Sequence, residues 1–303
     1  MLRTDPWSEL SNLVKSPVLL GEPMHLHTSW RVGGPADVFV EPRGIKDLKA
    51  ILAYAKQEGQ PLTIIGAGTN LLVRDKGISG IVVKIASGFE ELKVEGENIR
   101  AGGGSKLHRL ALVARDHGVG GFEFVTGIPG LVGGAVVMNA GAYGCTMADR
   151  VVEVTCLDDE GNLQCLDSGQ MEWGYRKTVV QEKKWIVLEA VFKGFFREKD
   201  LISLDMETIL SSRKTKQPLE YPSAGSVFKN PSGYYAGKLI QESGCLGMRV
   251  GDAQVSPKHA NFIINLGKAT ATDVQELINA VRGRVLEKFG VSLEAEVKVL
   301  GLD

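Results

Sequence analysis

The sequence predicts a chain of mixed helix and strand arranged as two domains. Its 303 residues are roughly twice the usual domain length. The hydrophobic pattern runs strand, helix, strand from Asp37 to Val83 and then turns to closely spaced strands. The charged, turn-prone stretch Arg197-Glu198-Lys199-Asp200 then separates these from about a hundred residues with helices and strands of their own.

Taken in order, Val38 to Val40 reads as a strand ended by Pro42, and Ile45, Leu48, Ile51, Leu52 and Ala55 recur at helical spacing before Gly59. Leu62 to Ile65 is a short strand opening into Gly66-Ala67-Gly68-Thr69-Asn70, and Ile81 to Lys84 is another. Leu92–Val94 and Ile99–Ala101 form an expected hairpin across Gly96-Glu97-Asn98. Lys106 to His117 reads as a helix stopped by Gly118. Val151–Leu157, Leu163–Leu166 and Trp185–Phe195 are strand-like and suggest an antiparallel layer closing the first domain. Beyond the junction, helices are expected near Leu201–Arg213 and Tyr235–Ser243, and strands at Ala260–Ile264 and Leu293–Leu300. Between those strands, Val274, Leu277, Ile278, Val281, Val285 and Phe289 form one helical stripe, with Thr272 and Gln275 at capping-box spacing.

Composition narrows the function classes. A net charge of −1 with no long basic run gives poor support for non-specific nucleic-acid binding. The four cysteines lack CxxC pairing and are expected to be reduced thiols, and the five histidines do not cluster as metal ligands. No apolar run is long enough to span a bilayer and the N-terminus lacks the apolar stretch of a signal peptide, so a cytosolic protein is expected. The outlying residue type is glycine, at 37 of 303, about 12% against an average near 7%. Nine of these glycines fall between Gly118 and Gly144, among few charges, a run suited to backbone wrapped around a ligand.

Taken singly, each motif admits more than one role. Gly66-Ala67-Gly68-Thr69-Asn70 follows a strand as a dinucleotide fingerprint would, but Leu71 stands where the third glycine belongs, and no long helix follows. It suits an anion-binding nest or an ordinary tight turn. Gly127-Ile128-Pro129-Gly130, Gly133-Gly134-Ala135 and Met138-Asn139-Ala140-Gly141 make a defined small-residue loop, fitted either to a ligand or to close packing. Arg176, expected just before a strand, could clamp a carboxylate or form a surface ion pair. Ser226 lies among small neighbours with Lys229 and Asn230 nearby. Glu296 is a carboxylate in an apolar strand, where alternation puts Glu294, Glu296 and Lys298 on one face. GxxxxGK[ST], HExxH and GxSxG are absent.

In combination these segments resemble the UDP-N-acetylenolpyruvoylglucosamine reductase family, the flavoproteins called MurB. The resemblance runs from about Thr28 to the end, through TSWRVGGPA, GAGTN, GIPGLVGGAVVMNAGAYG, GYRKT, Arg213 to Pro218, AGSVFKNP and LEAEVKVLG. It implies an α+β fold: an FAD-binding domain of the vanillyl-alcohol-oxidase type (residues 30–196) after an N-terminal segment (1–29), then a substrate-binding α+β domain (200–303). It implies noncovalent FAD held by Gly66, Ala67, Gly68, Thr69, Asn70, Gly127, Ile128, Pro129, Gly130, Gly133, Gly134, Asn139, Ala140 and Gly141, with Arg213 approaching the flavin. NADPH is the implied reductant and a UDP-linked amino sugar the implied substrate, with Lys216 and Asn230 at its UDP part. The implied reaction delivers hydride to C3 of the enolpyruvyl ether and a proton from Ser226 to C2, with Arg176 and Glu296 stabilising the charge that develops. Only about eight residues separate Arg176 from the strand expected at Trp185, so the chain resembles the shorter subtype, which lacks a tyrosine-bearing loop there. Two other readings compete: another FAD oxidoreductase of the same superfamily, many of which attach flavin covalently through His or Cys, and a non-catalytic nucleotide sensor.

Overall fold

The structure, a computed structural model, describes residues 6–303; the first five residues of the expected N-terminal segment lie outside it. The chain forms two compact units. Among the described residues, the first comprises 6–20 with 38–67 and 80–212, and the second comprises 21–37, 68–79 and 213–303. The helix Lys199–Lys216 contains the passage from 212 to 213.

In the first unit a five-stranded antiparallel sheet has the order Leu163–Asp167, Val151–Leu157, Ile186–Lys193, Asn98–Gly102, Leu92–Glu95. The expected hairpin is its edge, with Leu92 opposite Ala101 and Glu95 opposite Asn98. A second sheet orders Val18–Pro23, Pro35–Val40, Ile78–Lys84 and Leu62–Ile65, the last two parallel. Strand alternation, its parity reversed along Ile186–Lys193 by the register shift between the Thr155–Glu189 and Cys156–Val187 pairs, divides the apolar side chains between two cores. Val154, Ala190 and Phe192 pack with Leu107, Leu110 and Ala114 of the helix Leu107–Asp116 and with Val132 and Val136 of the short helix Val132–Val137. Leu157, Ile186 and Leu188 instead join Val38, Val40, Ile81 and Val83 and the face Leu48, Ile51, Tyr54 and Ala55 of the helix Ile45–Gln57. Each fully buried Leu or Ile adds roughly 1.5–3 kcal/mol relative to leaving it exposed.

The second unit centres on the helix Ala271–Phe289. Val274, Leu277, Ile278, Val281 and Val285, the stripe read from the sequence, are buried against Ala253, Val255, Leu239 and Ile240. Two early segments complete this core. Trp30 is fully buried, its indole N–H donating to the Ile263 carbonyl at 2.7 Å while Asn265 Nδ2 donates to the Trp30 carbonyl at 2.9 Å. Leu72 enters on the strand Leu71–Val73, which runs parallel to Lys298–Leu300.

Three local expectations are corrected. The capping box of the long helix is Thr270 with Asp273, not Thr272 with Gln275. Thr270 Oγ1 accepts from Asp273 N–H at 3.0 Å and Asp273 Oδ2 accepts from Thr270 N–H at 2.9 Å. Thr272 is taken by Asp75, whose carboxylate accepts from the Ala271 and Thr272 amides (2.8 and 2.9 Å) and from the Thr272 hydroxyl (2.7 Å). With Val274 N–H donating to the Thr270 carbonyl at 3.3 Å, the first four amides of the helix are all satisfied. Secondly, Leu293–Leu300 is not one strand: Lys298–Leu300 pairs with Leu71–Val73, whereas Ala295 bridges antiparallel to Phe228. Thirdly, Arg176 precedes not a strand but the one-turn helix Val179–Glu182, capped by Thr178, whose hydroxyl accepts from Gln181 N–H at 3.3 Å. The four cysteines are free thiols, as expected.

Candidate active site

The second unit carries Ser226 and Glu296 on paired segments. Lys229 N–H donates to the Glu294 carbonyl at 2.9 Å and Glu296 N–H to the Val227 carbonyl at 2.7 Å. From the other side, Val227 N–H donates to the Asn261 carbonyl at 2.9 Å, and the Asn261 side chain binds both backbone groups of Phe228, at 2.9 and 2.8 Å. Phe228 and Asn261 are buried, and a buried amide with both ends satisfied fixes backbone firmly. Ser226 and Glu296 stay half-buried on this frame. Gly225, left-handed at φ 75°, turns the chain immediately before Ser226. Asn261 escaped the sequence reading because nothing local marks an asparagine that acts 33 positions away.

Lys229 is committed to Glu294, Nζ to Oε1 at 2.5 Å, which explains the exposed carboxylate of the 294–296 segment. Asn230 Oδ1 accepts from Ala236 N–H at 3.0 Å, at the start of the helix Ala236–Glu242. Arg213 is half-buried and Lys216 exposed, both in the last turn of Lys199–Lys216. Nearby in sequence to the Ser226 clamp, burial pushes the His259 imidazole below its ordinary value, and its ring packs on Phe262.

Arg176 belongs to the first unit. Gly174 and Lys177 exchange backbone hydrogen bonds (3.0 and 3.3 Å), making a tight turn in which Arg176 is left-handed at φ 58°. Its guanidinium lies over the Tyr175 ring, 5.0 Å from the centroid, and donates to the Asn139 carbonyl at 3.3 Å. The turn is therefore attached to the second glycine run.

That run is built on a segment the sequence reading passed over, Gly102-Gly103-Gly104-Ser105. Gly133 N–H donates to the Gly103 carbonyl at 2.8 Å, Val132 N–H to Ser105 at 2.9 Å, and Leu107 N–H to Gly130 at 3.1 Å. A Cβ on Gly103 or Gly104 would meet the Val187 carbonyl oxygen at 2.5 Å or that of Ala86 at 2.0 Å, so these glycines serve protein packing. Three consecutive glycines were the signal available. Gly68 is likewise required by the protein, since a Cβ there would meet the His27 carbonyl oxygen at 1.9 Å. Gly134 and Gly66 differ: a Cβ on Gly134 would meet nothing within 4 Å, and one on Gly66 only the Leu131 side chain at 3.7 Å or beyond.

Buried polar atoms beside both glycine runs lack protein partners. Thr126 Oγ1, just before Gly127, and Ser29 Oγ, whose N–H donates to the Gly68 carbonyl at 3.2 Å, are buried without a hydrogen bond. Leaving such a group unmade costs about 1–3 kcal/mol. An orphaned hydroxyl beside each loop, with glycine surface open to approach, fits a polar, phosphate-bearing group such as FAD. Cys145, at the end of the second run, has its thiol pushed above the ordinary value by burial, against the pull of Arg150, which makes it a poor nucleophile for covalent attachment.

Residues 36–167 match the family described as FAD binding domain, and residues 217–300 match UDP-N-acetylenolpyruvoylglucosamine reductase, C-terminal domain. A UDP-N-acetylenolpyruvoylglucosamine reductase of Desulforamulus reducens is 43% identical over 303 residues, covering all of both chains. One from Caldanaerobacter subterraneus subsp. tengcongensis is 49% identical over 292 residues, covering 95% of each. Among solved structures, the UDP-N-acetylenolpyruvylglucosamine reductase of Thermus caldophilus matches with a TM-score of 0.82 at 36% identity, over 95% of this chain and 99% of that one. A BBE-like protein of Physcomitrella patens, 14% identical with a TM-score of 0.50 over 93% of this chain and 60% of that one, is alike in fold alone.

Proposed function

This chain belongs to the UDP-N-acetylenolpyruvoylglucosamine reductase family, and we propose that its chemistry is carried by Arg176, Ser226 and Glu296. It is an FAD-dependent oxidoreductase of α+β fold that reduces UDP-N-acetylglucosamine enolpyruvate to UDP-N-acetylmuramate, a peptidoglycan precursor, with NADPH as reductant. FAD, when bound, supplies the hydride that arrives at C3 of the enolpyruvyl ether.

The residues have separate tasks. Hydride arrival leaves negative charge that the substrate's own carboxylate delocalises, and the guanidinium of Arg176 meets that charge with a planar fork of donors. Ser226 gives its hydroxyl proton to C2, completing the saturated lactyl ether. Glu296, on the segment paired with the Ser226 loop, accepts a hydrogen bond from the serine or a bridging water and orients the proton in transit. Gly66, Gly134, Thr126 and Ser29 would help the glycine loops hold FAD, Arg213 would meet the flavin, and Lys216 and Asn230 would meet the UDP group. Family membership supports the cytoplasm as the site of reaction; among the described residues no helix is long and apolar enough to cross a membrane.

The observation that supports this division best is the clamp holding Val227–Lys229 between Asn261 and Glu294–Glu296, because it fixes a serine and a carboxylate on adjoining backbone. The deciding experiment is an anaerobic assay of the purified flavoprotein with NADPH and UDP-N-acetylglucosamine enolpyruvate. UDP-N-acetylmuramate is the expected product; bleaching of the flavin by NADPH with no reoxidation by that substrate would defeat the reading.

A further inference from the structure

We propose that Asn139 is a positioning residue that sets Arg176 by tying the second glycine run to the Gly174–Lys177 turn; this rests on the role given to Arg176 above. Asn139 was grouped with the cofactor contacts by resemblance, yet its polar groups are engaged inside the protein. Its N–H donates to the Val136 carbonyl at 3.1 Å and its carbonyl accepts from Arg176 Nη1 at 3.3 Å. Its Nδ2 donates to the Gly174 carbonyl at 3.0 Å and its Oδ1 accepts from Ala148 N–H at 3.1 Å. The residue is 7% exposed and left-handed, at φ 41°, a conformation asparagine accepts more readily than most side chains.

One residue thus holds the turn in two places, by side chain at its base and by carbonyl at the guanidinium it presents. The Thr178 hydroxyl, donating to the Val137 carbonyl at 2.8 Å, ties the far side of the turn to the same run. An arginine is long and rotamer-rich, and a clamp on a developing charge works only if its donors are in place before the charge appears. An amide is required at 139 because the site needs a donor toward Gly174 and an acceptor toward Ala148 on one planar group. Aspartate keeps the shape and the acceptor but sets an oxygen against the Gly174 carbonyl.

The test uses the full FAD-loaded chain in stopped-flow. Asn139→Asp should slow reoxidation of the reduced flavin by UDP-N-acetylglucosamine enolpyruvate by about 10- to 100-fold, the scale of a small misplacement of a catalytic group. Reduction by NADPH and the FAD dissociation constant, read from flavin fluorescence, should stay within about twofold. Asn139→Gly, which keeps the left-handed backbone and removes the side chain, should reproduce this split. In an Arg176→Lys background, itself slowed in reoxidation, Asn139→Asp should cost less than about twofold, since a residue acting through Arg176 has nothing left to place.

An undiminished effect of Asn139→Asp in that background, unchanged reoxidation in the single variant, or loss of FAD affinity in step with the rate would each overturn the proposal. Failure of the parent reading looks different: Arg176→Lys alone would then reoxidise at the wild-type rate, which removes the arginine from the reaction and its positioning with it.

Discussion

Asn70 Nδ2 donates at 3.1 Å to the carbonyl of Glu296, 226 positions further along the chain. The Asn70 carbonyl in turn accepts from Lys298 N–H at 3.0 Å, so the end of the first glycine loop holds the backbone on both sides of Val297. Asn70→Ala should lower the stability of the folded protein by about 1 kcal/mol, the usual net worth of one such bond, and also slow flavin reoxidation by the enolpyruvyl substrate. Urea unfolding and stopped-flow on the same preparation check it; a stability loss with an unaffected rate would confine Asn70 to structure.

Ser226→Ala removes the proposed proton donor without disturbing the Asn261 clamp, which grips the backbone of Val227 and Phe228. Reoxidation by the enolpyruvyl sugar should fall by about 10²–10⁴ while NADPH still bleaches the flavin at its normal rate. Equal losses in both half-reactions would point to damage at the cofactor instead.

Thr126→Val tests the orphaned hydroxyl beside Gly127. In flavin-free protein the substitution removes a buried polar group that has no partner, so the melting temperature should hold or rise. In the holoenzyme it would remove the proposed bond to FAD, and the dissociation constant should rise by about 2- to 10-fold, matching about 0.5–1.5 kcal/mol. Fluorescence titration together with thermal melts of both forms reads the two effects. Unchanged affinity would leave the Thr126 hydroxyl without a role.

Asp75 gives a pH dependence. Burial pushes its carboxyl up, but the Thr272 hydroxyl and the Ala271 and Thr272 amides outweigh this and hold it below the ordinary aspartate value. Because the folded carboxyl is the stronger acid, its contribution is complete at neutral pH and is lost as pH falls from the ordinary aspartate range through the lowered folded value. Asp75→Asn should destabilise at pH 7 by about 1 kcal/mol, as loss of a helix cap does, and should flatten the stability profile on the acid side. Asp75 is exposed, so a modest effect is expected. Parallel melts from pH 7 to pH 3 that fail to converge on the acid side would refute the assignment.

Legibility in the sequence followed the range of the forces involved. The helix Ala271–Phe289 and the hairpin of Leu92–Glu95 with Asn98–Gly102 were readable because apolar periodicity and turn residues act within a few positions. The cap of that helix was harder to choose: the local pairs Thr270–Asp273 and Thr272–Gln275 compete, and what takes Thr272 out of the competition is Asp75, 196 positions from Ala271 in the chain. Leu293–Leu300 looked like one strand because Leu293, Ala295, Val297 and Val299 alternate with Glu294, Glu296 and Lys298; only the fold assigns its two ends to different partners, Phe228 and the Leu71–Val73 strand. Among the site residues, the resemblance marked Ser226 and Glu296, but the asparagines that hold the neighbouring backbone could not be sorted from ligand contacts, since an amide in a glycine loop carries the same signature either way. Glycine was ambiguous for the same reason: Gly104 answers to a carbonyl oxygen, whereas Gly134 meets nothing in the protein.

The buried indole of Trp30 has a consequence for the newborn chain. Its hydrogen-bond acceptor, Ile263, is made 233 residues later. At about 5–20 residues per second, a ribosome needs roughly 12–47 s to cover that distance. For that interval a large aromatic ring and its neighbours wait without their final packing, however early their own segment emerges. A polypeptide beginning at residue 200 would never receive them at all. The core that Trp30 enters therefore closes only after Ile263 and the segments packed with it have been made.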